Sequence, residues 1–393
     1  MRLLARLARG AGAAMLVTAA FVAVPTIANA TTPVVGYAYV NDNTAGTNTI
    51  GAFAEHADGS LTALAGSPFA AGGAGTGTVM GSQGAIQATA DGNWVLAVDA
   101  GSNQISVLAV GSGGSLTPAA GSPVSSGGIL PVSVAVHGDL VYVANKGNGT
   151  TGSNYTGFTL GDDGRLTPLG NSTVALPATA LPGDILFNGT GQNLIGVEVG
   201  TTDPSTFVID SFKVGADGRL TPAAGSPFPA EAAGPFGSEF SPTDPHDLYV
   251  SNAHGGAGNG SVSAFSVNPN AKLKSITGSP FADNQTAPCW VEISHDGRYL
   301  FTVNTGSTTI SSYRILANGS LQLIGSTPFS SGTGIAAFDA RLDVSGANLF
   351  VVDSAIASVS GFSVSGGSLV ELQSSPAALP AGATPFGLAI IGS

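Results

Sequence analysis

Charged side chains are scarce in this sequence. Only 9% of the 393 residues are charged, whereas about 25% is usual in globular proteins. The 12 Lys and Arg residues are outnumbered by 24 Asp and Glu residues, which gives a formal net charge of −12. Nucleic-acid binding requires a basic surface. We therefore exclude nucleic acid as a partner.

Cysteine and long apolar runs are also nearly absent. Cys289 is the only cysteine, so no disulfide forms within the chain and no Cys-x-x-Cys-His haem attachment site exists. Beyond the N-terminal segment, no apolar run approaches the roughly 20 residues that a membrane-spanning helix needs. These absences predict a chain without an intramolecular disulfide, a covalently attached haem or a membrane span. We further expect no metal site, no bound cofactor and a monomeric chain.

The first 30 residues have the pattern of a secretory signal peptide. Arg2, Arg6 and Arg9 precede an apolar run over residues 11–24, and Ala28-Asn29-Ala30 offers a small-residue cleavage site. The run is short for a membrane span. We expect cleavage near Ala30 and secretion of residues 31–393 to the periplasm or the extracellular space.

What the sequence does contain is a repeated phrase. GSLTPAAGSPV, at residues 114–124, returns as GRLTPAAGSPF at residues 218–228, and related phrases occur seven times at spacings of 48 to 55 residues. The seven phrases begin at Gly59, Gly114, Gly164, Gly218, Ala271, Gly319 and Gly367. This period is typical of a solenoid, a propeller or an array.

Each repeat predicts four β-strands, which we label a to d. Segments such as VEISHDGRYLFTVN read as strands a and b joined at Asp296-Gly297, ISSYRI reads as strand c, and the phrase itself reads as strand d. Dipeptides such as Asp58-Gly59 and Asp163-Gly164 lie between strands c and d. They favour a type I′ turn, in which both residues have positive φ.

The two ends of the chain predict that the repeats close into a ring. The C-terminal PFGLAIIGS resembles a strand a that lacks a strand b, and VVGYAYVND near residue 34 resembles a strand b that lacks a strand a. Pairing them completes a seventh unit. We therefore predict an all-β fold, a seven-bladed β-propeller of four-stranded blades closed by its terminal strands, in one domain over residues 31–393.

Units of the form [L/I]-[Y/F]-V-x-N, x-F-x-V and D-G-x-L-x-x-x-x-G-S-P-F resemble the YVTN-type repeats of the seven-bladed lactonase-type propellers. That family includes 6-phosphogluconolactonase and a muconate-lactonising relative. The resemblance implies catalytic histidine, arginine and glutamate side chains at the channel mouth. The corresponding positions here are Gly183, Phe236, Ala253 and Thr305, none of which carries a charge.

Other polar residues offer candidate sites. Acidic residues early in successive a strands, together with one arginine, are expected to line the channel: Asp184, Glu239, Glu292, Asp339 and Arg341. His254 is the one histidine in a b–c loop, and with Glu239 or Asp184 it forms our candidate catalytic set. The polar residues that end the b strands are interpreted as structural, since Asn and Asp bond the adjoining turn.

Loop lengths single out one surface. The b–c loops of three successive blades are long and polar, spanning residues 146–154, 199–208 and 253–261, and we call them the loop ridge. Binding residues are often carried on such loops. The Gly-rich loop over residues 70–82 is interpreted as a rim rather than a phosphate site, because no helix or Gly-Lys-Ser/Thr follows it.

The functional hypothesis from sequence is a secreted lactonase-like propeller that lacks the family's catalytic residues and binds a glycan, polymer or protein through the loop ridge. The alternative is an extracellular lactone hydrolase that acts on a small lactone with different site residues. A redox propeller is a more distant alternative, because the chain has no cysteine motif for haem.

Overall fold

Seven antiparallel sheets surround a central channel, and each sheet is one blade. The computed structural model describes residues 32–393, so the predicted signal peptide lies outside the described residues. Pro33–Ser393 forms a single compact unit. The predicted all-β seven-bladed propeller is confirmed. Across the described chain, no helix is long and apolar enough to cross a membrane.

The blades are built from strands a to d, counted outward from the channel, and are numbered 1 to 7 in the order of their b strands, so the a strand of blade 1 is the last one in the chain. The a strands are Ile86–Ala88, Pro131–His137, Pro182–Phe187, Pro235–Phe240, Pro288–Ile293, Ala337–Leu342 and Leu388–Gly392. The b strands are Val34–Asn41, Trp94–Asp99, Leu140–Lys146, Asn193–Glu198, Asp247–Asn252, Tyr299–Asn304 and Asn348–Asp353. The c strands are Thr49–His56, Gln104–Val110, Ser153–Leu160, Val208–Val214, Ser261–Val267, Thr309–Ile315 and Ser358–Ser365.

The d strands are split into two short pieces in every blade except blade 6. The first pieces in chain order are Leu61–Ala63, Leu116–Pro118, Leu166–Pro168, Leu220–Pro222, Leu273–Ser275 and Ser368–Glu371. The second pieces are Phe69–Ala70, Val124–Ser125, Val174–Ala175, Phe228–Pro229, Phe281–Ala282 and Ala377–Ala378. Blade 6 has one continuous strand, Leu321–Pro328, and three short 3₁₀ turns occupy Ser112–Gly114, Pro204–Thr206 and Ser354–Ile356.

The chain ends close the ring as predicted. Leu388–Gly392 pairs antiparallel with Val34–Asn41, from Val40 opposite Leu388 to Gly36 opposite Gly392. Blade 1 therefore takes its innermost strand from the C-terminus. One end of the propeller carries the b–c loops and the d–a connections, and we call it the b–c face. The other end carries the a–b and c–d turns, and we call it the a–b face.

The predicted type I′ turns are wrong for most blades. At Asp58-Gly59, Gly59 alone has a positive φ, and Gly59 N–H donates to His56 O while His56 N–H donates to Ser60 O. This is a type I turn that ends in a left-handed residue, the second common hairpin geometry. Gly366-Gly367 of blade 7 does form a two-residue turn with both φ values positive. A dipeptide that tolerates positive φ does not require it at both positions.

The serine of the repeated phrase compensates for the break in strand d, where strand c would otherwise lack a hydrogen-bond acceptor. In blade 2, Ser122 Oγ accepts a hydrogen bond of 2.9 Å from Val107 N–H of strand c. The equivalent serines of five other blades do the same, with donors on Ala52, Gly157, Ser211, Ala264 and Gly361. The hydroxyl thus replaces the carbonyl that a continuous outer strand would supply.

We expect Ser122→Ala to lower the free energy of unfolding by about 1 to 3 kcal/mol, because Val107 N–H loses its acceptor in a partly buried place. The matched control is Ser326→Ala in blade 6, where strand d is continuous and the serine hydroxyl bonds to Ser311 Oγ rather than to a backbone N–H. Urea unfolding of both variants provides the measurement. Equal losses in the two variants would contradict this explanation of the phrase.

Candidate binding site in the channel

The long Gly-rich loop does not stay at the rim. It leaves the b–c face at Met80 and places residues 80–83, which we call the plug, inside the channel. Ser82 Oγ donates to Val132 O of blade 3 at 2.6 Å. Trp290 Nε1 of blade 6 donates to Ser82 O at 2.7 Å. The end of the predicted rim therefore enters the channel, whereas Val79 before it is exposed.

Gln83 spans the channel from blade 2 to three other blades. Its N–H donates to Gly183 O of blade 4, and its side-chain Nε2 donates to Ser238 O of blade 5 at 2.7 Å. Its Oε1 accepts from Val291 N–H of blade 6 at 3.0 Å. A buried side-chain amide with this many partners is fixed in position. Gln83 divides the channel into two ends.

Aromatic rings close the end nearer the b–c face. Trp290 is 1% exposed, and its ring centroid lies 5.3 Å from that of Phe236 and 4.7 Å from that of Phe338. Phe236 also faces Gly81 of the plug, where a Cβ would lie 3.0 Å from the ring. Met80 packs against the same apolar cluster. The b–c end of the channel is therefore apolar and filled.

The end nearer the a–b face contains a cavity of about 370 Å³, which we call the channel cavity. Gln83 lies at its inner limit, and its wall carries Asp184, Glu239, Glu292 and Arg341. Residues of the a–b turns, including Gly189, Ser241, Pro242 and His295, also line it, so its mouth is on the a–b face. The structure thus brings the predicted channel residues together, but beside the opposite face from the loop ridge.

Two of the four channel carboxyl groups already have several donors. Asp184 accepts hydrogen bonds from Ser238 N–H at 2.9 Å and Ser238 Oγ at 2.7 Å. Asp339 is fully buried and accepts from the N–H groups of Ala340, Gly84 and Leu388, which joins blade 7 to blades 1 and 2. These two side chains connect neighbouring a strands.

The Arg341 guanidinium makes its hydrogen bonds through one nitrogen atom, Nη1. Its Nη1 donates to Glu292 Oε2 at 3.1 Å and to Ala340 O at 3.0 Å, and lies 3.7 Å from Asp339 Oδ1. Burial opposes the charge of Arg341, but Asp339, Glu292 and the other channel carboxyl groups outweigh it and raise its pKa. Arg341 therefore remains a cation inside the channel.

Glu239 differs from the other three carboxyl groups. Within residues 32–393 its side chain makes no hydrogen bond, although it lies in the cavity wall. Burial, followed by the nearby charge of Glu292, raises its pKa well above the ordinary value. Burial also raises the pKa of Glu292, which nevertheless accepts from Leu342 N–H and Arg341. Glu239 is therefore the channel carboxyl group that is free to accept hydrogen bonds from a ligand and, when protonated, to donate one.

His254 does not join this cluster. The imidazole ring lies over Gly234, and the backbone N–H of His254 donates to Ala233 O at the b–c end of strand a of blade 5. Glu239 lies near the other end of that strand, about 16 Å away at the ordinary rise per residue. The candidate pairing of His254 with Glu239 or Asp184 therefore has no geometric support.

The polar residues that end the b strands bond mainly within their own blades. Asn252 Nδ2 donates to Ser261 and Ser263, Asn304 Nδ2 donates to Thr309 and Ser311, and Asp353 accepts from Ser360. These contacts match the structural interpretation. In the part of the chain that the structure describes, no group of three or more His, Cys, Asp or Glu residues is arranged to hold a metal ion.

Buried carboxyl groups with raised pKa values make stability depend on pH. Burial raises the pKa values of Asp42, Asp184 and Asp353 to about 7 and that of Glu55 to about 8. Between their ordinary pKa values near 4 and these raised values, the folded chain binds more protons than the unfolded chain. The free energy of unfolding therefore falls as pH rises through this window.

We expect the melting temperature to be higher at pH 5 than at pH 8. The matched variant is Asp184→Asn, which removes one titrating group and should reduce the slope, since one pKa unit corresponds to about 1.4 kcal/mol. Differential scanning calorimetry across this range provides the measurement. A melting temperature that rises from pH 5 to pH 8 would contradict the expectation.

Known proteins share this architecture. A candidate 6-phosphogluconolactonase from Bacteroides uniformis is 18% identical, with a TM-score of 0.72 over 91% of this chain and 100% of that one. A periplasmic gluconolactonase from Pseudomonas aeruginosa is 17% identical, with a TM-score of 0.69 over 91% and 99% of the two chains. At these identities the likeness shows the fold alone.

A family model supports the same relationship. Residues 202–385 match the model described as Lactonase, 7-bladed beta-propeller. No protein of curated function matches the chain. The seven repeats and the closure by terminal strands show that the chain is a seven-bladed β-propeller, and just under half of it is similar to the lactonase family model.

Proposed function

We propose that the protein binds a small polar molecule in the channel cavity and does not open lactone rings as the family resemblance would imply. The observation that carries the proposal is a cavity of about 370 Å³ whose wall holds the unpartnered Glu239 carboxyl group beside Arg341. A concave site with a few converging polar groups is the usual form of a small-molecule site.

The residues at the b–c end of the channel support the proposal that the protein does not open lactone rings. Phe236 lies in the aromatic cluster, Ala253 is 6% exposed, and Thr305 Oγ1 is used in a bond to Ala337 O. At Gly183, the fourth position, the carbonyl is bonded to Gln83. None of these four residues transfers a proton, and positioned acid–base groups contribute about 10²- to 10⁴-fold in rate. We expect no turnover of 6-phosphogluconolactone or muconolactone above background.

Lactone hydrolysis within the channel cavity is the second candidate. Burial raises the pKa of Asp184 to about 7, which suits a general base, and Arg341 offers a cation for a developing negative charge. Against it, Asp184 accepts hydrogen bonds from both the N–H and the Oγ of Ser238, so the carboxyl group has a structural role. Turnover of a lactone by purified protein that is lost in Glu239→Gln would favour this candidate.

Two further features of the function remain proposals. We propose that residues 1–30 direct export, which N-terminal sequencing of the mature protein tests. We also propose that the loop ridge contacts a glycan, polymer or protein, because residues 254–259 and much of 199–207 are exposed. Shortening two of its loops should abolish retention on such a partner without changing ligand binding in the cavity.

The cavity is tested by blocking its mouth. Gly189 lines the cavity, and a Cβ there would meet only Pro245 Cβ at 3.9 Å, so Gly189→Trp can fold with its ring at the mouth. The control is Gly170→Trp, at an exposed glycine with no neighbour within 4 Å. In a thermal-shift screen of amino acids, polyols, organic acids and lactones, hits should persist in the control and disappear in Gly189→Trp. Hits that survive in both variants would place binding elsewhere.

A further inference from the structure

Arg341 and Glu239 in the wall of the channel cavity have opposite charges, and both have hydrogen-bonding atoms without a protein partner. Arg341 uses Nη1 for Glu292 and Ala340, while its Nε and Nη2 have no hydrogen-bond partner in the described chain. Its side chain is only 15% exposed. The Nε–Nη2 edge of a guanidinium is the edge that binds a carboxylate with two parallel hydrogen bonds. Arg341 lies in the cavity wall and these donors have no protein partner, so this edge is suited to a bound anion.

Glu239 supplies the opposite charge. Four carboxyl groups face one guanidinium here, and Asp184, Asp339 and Glu292 each accept at least two hydrogen bonds, so Glu239 is left without a donor. An ammonium group provides three N–H donors and a charge that offsets the excess of carboxyl groups. A neutral hydroxyl provides one donor and no charge.

A second cavity lies beside the first. It has a volume of about 510 Å³ and shares Gln87 and Arg341 with the channel cavity, so these two residues lie in the walls of both. Its wall includes Ala88, Ile390 and Val344, and Val344 is 58% exposed. The side-chain carboxylate of Asp91 in this wall is already bonded to Thr89 and Asn93. This region offers apolar surface next to Arg341.

From these three features we infer that the ligand is a small zwitterion, an amino acid with an apolar side chain. Its carboxylate binds the Nε–Nη2 edge of Arg341, its ammonium group binds Glu239 in the channel cavity, and its side chain lies against Val344 and Ile390 in the second cavity. The inference rests on the proposed function, since it assigns a ligand class to the same cavity.

The groups that face Glu239 also predict a proton exchange on binding. Burial and the neighbouring Glu292, Asp184 and Asp339 raise the pKa of Glu239, with Arg341 acting in the opposite direction, and His295 lies at the mouth. An ammonium ligand ionises Glu239 and releases a proton to solvent. Affinity for the zwitterion therefore rises with pH as Glu239 ionises.

The test is isothermal titration calorimetry of residues 31–393 with leucine and three probes that each lack one group. The probes are 4-methylpentanoate, which lacks the ammonium group, 3-methylbutylamine, which lacks the carboxylate, and glycine, which lacks the apolar chain. Leucine should bind at least about 10-fold more tightly than 4-methylpentanoate and 3-methylbutylamine, since a charged hydrogen bond is worth about that factor. It should bind about 10-fold more tightly than glycine, because burial of an apolar side chain is worth a similar factor. Titration in two buffers of different ionisation enthalpy should show proton release.

Two variants assign the contacts. Glu239→Gln keeps the size of the side chain and should weaken leucine binding by about 30-fold or more, while removing the preference over 4-methylpentanoate. Val344→Asp changes an exposed residue and should reduce the preference of leucine over glycine. The control, His254→Ala, lies outside both cavities and should bind leucine as the unaltered chain does.

The outcomes separate the inference from the proposed function. If polyols or lactones bind and are lost in Gly189→Trp while leucine does not bind, the cavity is a ligand site and the zwitterion assignment is overturned. If 4-methylpentanoate binds as tightly as leucine, or no proton is released, the pairing of Glu239 with an ammonium group is wrong. If nothing in the screen binds in a Gly189-dependent manner, the proposed function itself fails.

Discussion

Deletion of Pro385–Ser393 is expected to abolish cooperative folding and to cause aggregation. These residues supply strand a of blade 1, and they bury Phe386 and Leu388 completely. Loss of a large buried side chain costs about 2 to 5 kcal/mol, and net stabilities are about 5 to 15 kcal/mol. Removal of the whole strand also exposes the hydrogen-bonding edge of Val34–Asn41, and such an edge pairs readily with other chains.

Thermal unfolding followed by circular dichroism, together with size-exclusion chromatography, checks this expectation. Removal of Ser393 alone is the control, because that residue lies beyond the last strand and its contacts are with the backbone of Val34 and Val35. A truncated chain that remains monomeric with the melting temperature of the full chain would show that the ring does not depend on this closure.

Trp290→Ala is expected to lower the free energy of unfolding by about 3 to 5 kcal/mol, the usual range for removing a large aromatic side chain from a core. Trp290 is 1% exposed, contacts two aromatic rings and donates to Ser82 O of the plug. The substitution therefore leaves a void and an acceptor without its donor.

The second tryptophan provides the matched control for that substitution. Trp94 lies at the start of strand b of blade 2 and is only partly buried, so Trp94→Ala should cost clearly less. Chemical denaturation of both variants gives the comparison. Similar losses for the two tryptophans would mean that the aromatic cluster does not stabilise the channel in the way that its contacts indicate.

The fold was accessible from the sequence because its information is local and repeated. Each phrase carries the same turn and the same serine, and seven copies make the period visible without any structural comparison. The unpaired strands at the two ends indicated the closure. The turn type was not accessible, because Asp58-Gly59 is compatible with two hairpin geometries, and the structure adopts the one with a single left-handed residue.

The candidate site was only partly predictable. Asp184, Glu239, Glu292, Asp339 and Arg341 were identified from their positions in the a strands, and they do meet. Strand alternation did not fix their orientation, because bulges near the start of these strands, as between Pro235 and Ser238, reset the alternation. Nothing local distinguishes Glu239 from Asp184. The difference arises from donors on neighbouring blades, which sequence order does not place.

The plug was missed for a related reason. The unusual length of the loop over residues 70–82 was visible, but its destination depends on contacts with residues far away in the chain. Gln83 bonds to Ser238 and Val291, 155 and 208 positions further along. A glutamine after a Gly-rich loop gives no signal of such partners.

Gln83 also affects how the propeller loses its structure. In repeat proteins where each unit touches only its neighbours, units at the ends separate first and unfolding proceeds stepwise. Here one side chain from blade 2 bonds to blades 5 and 6, and its backbone N–H bonds to blade 4. None of these three blades can separate without breaking a buried bond to blade 2. We therefore expect blades 2, 4, 5 and 6 to unfold together, so that hydrogen exchange of their innermost strands requires these blades to open at the same time.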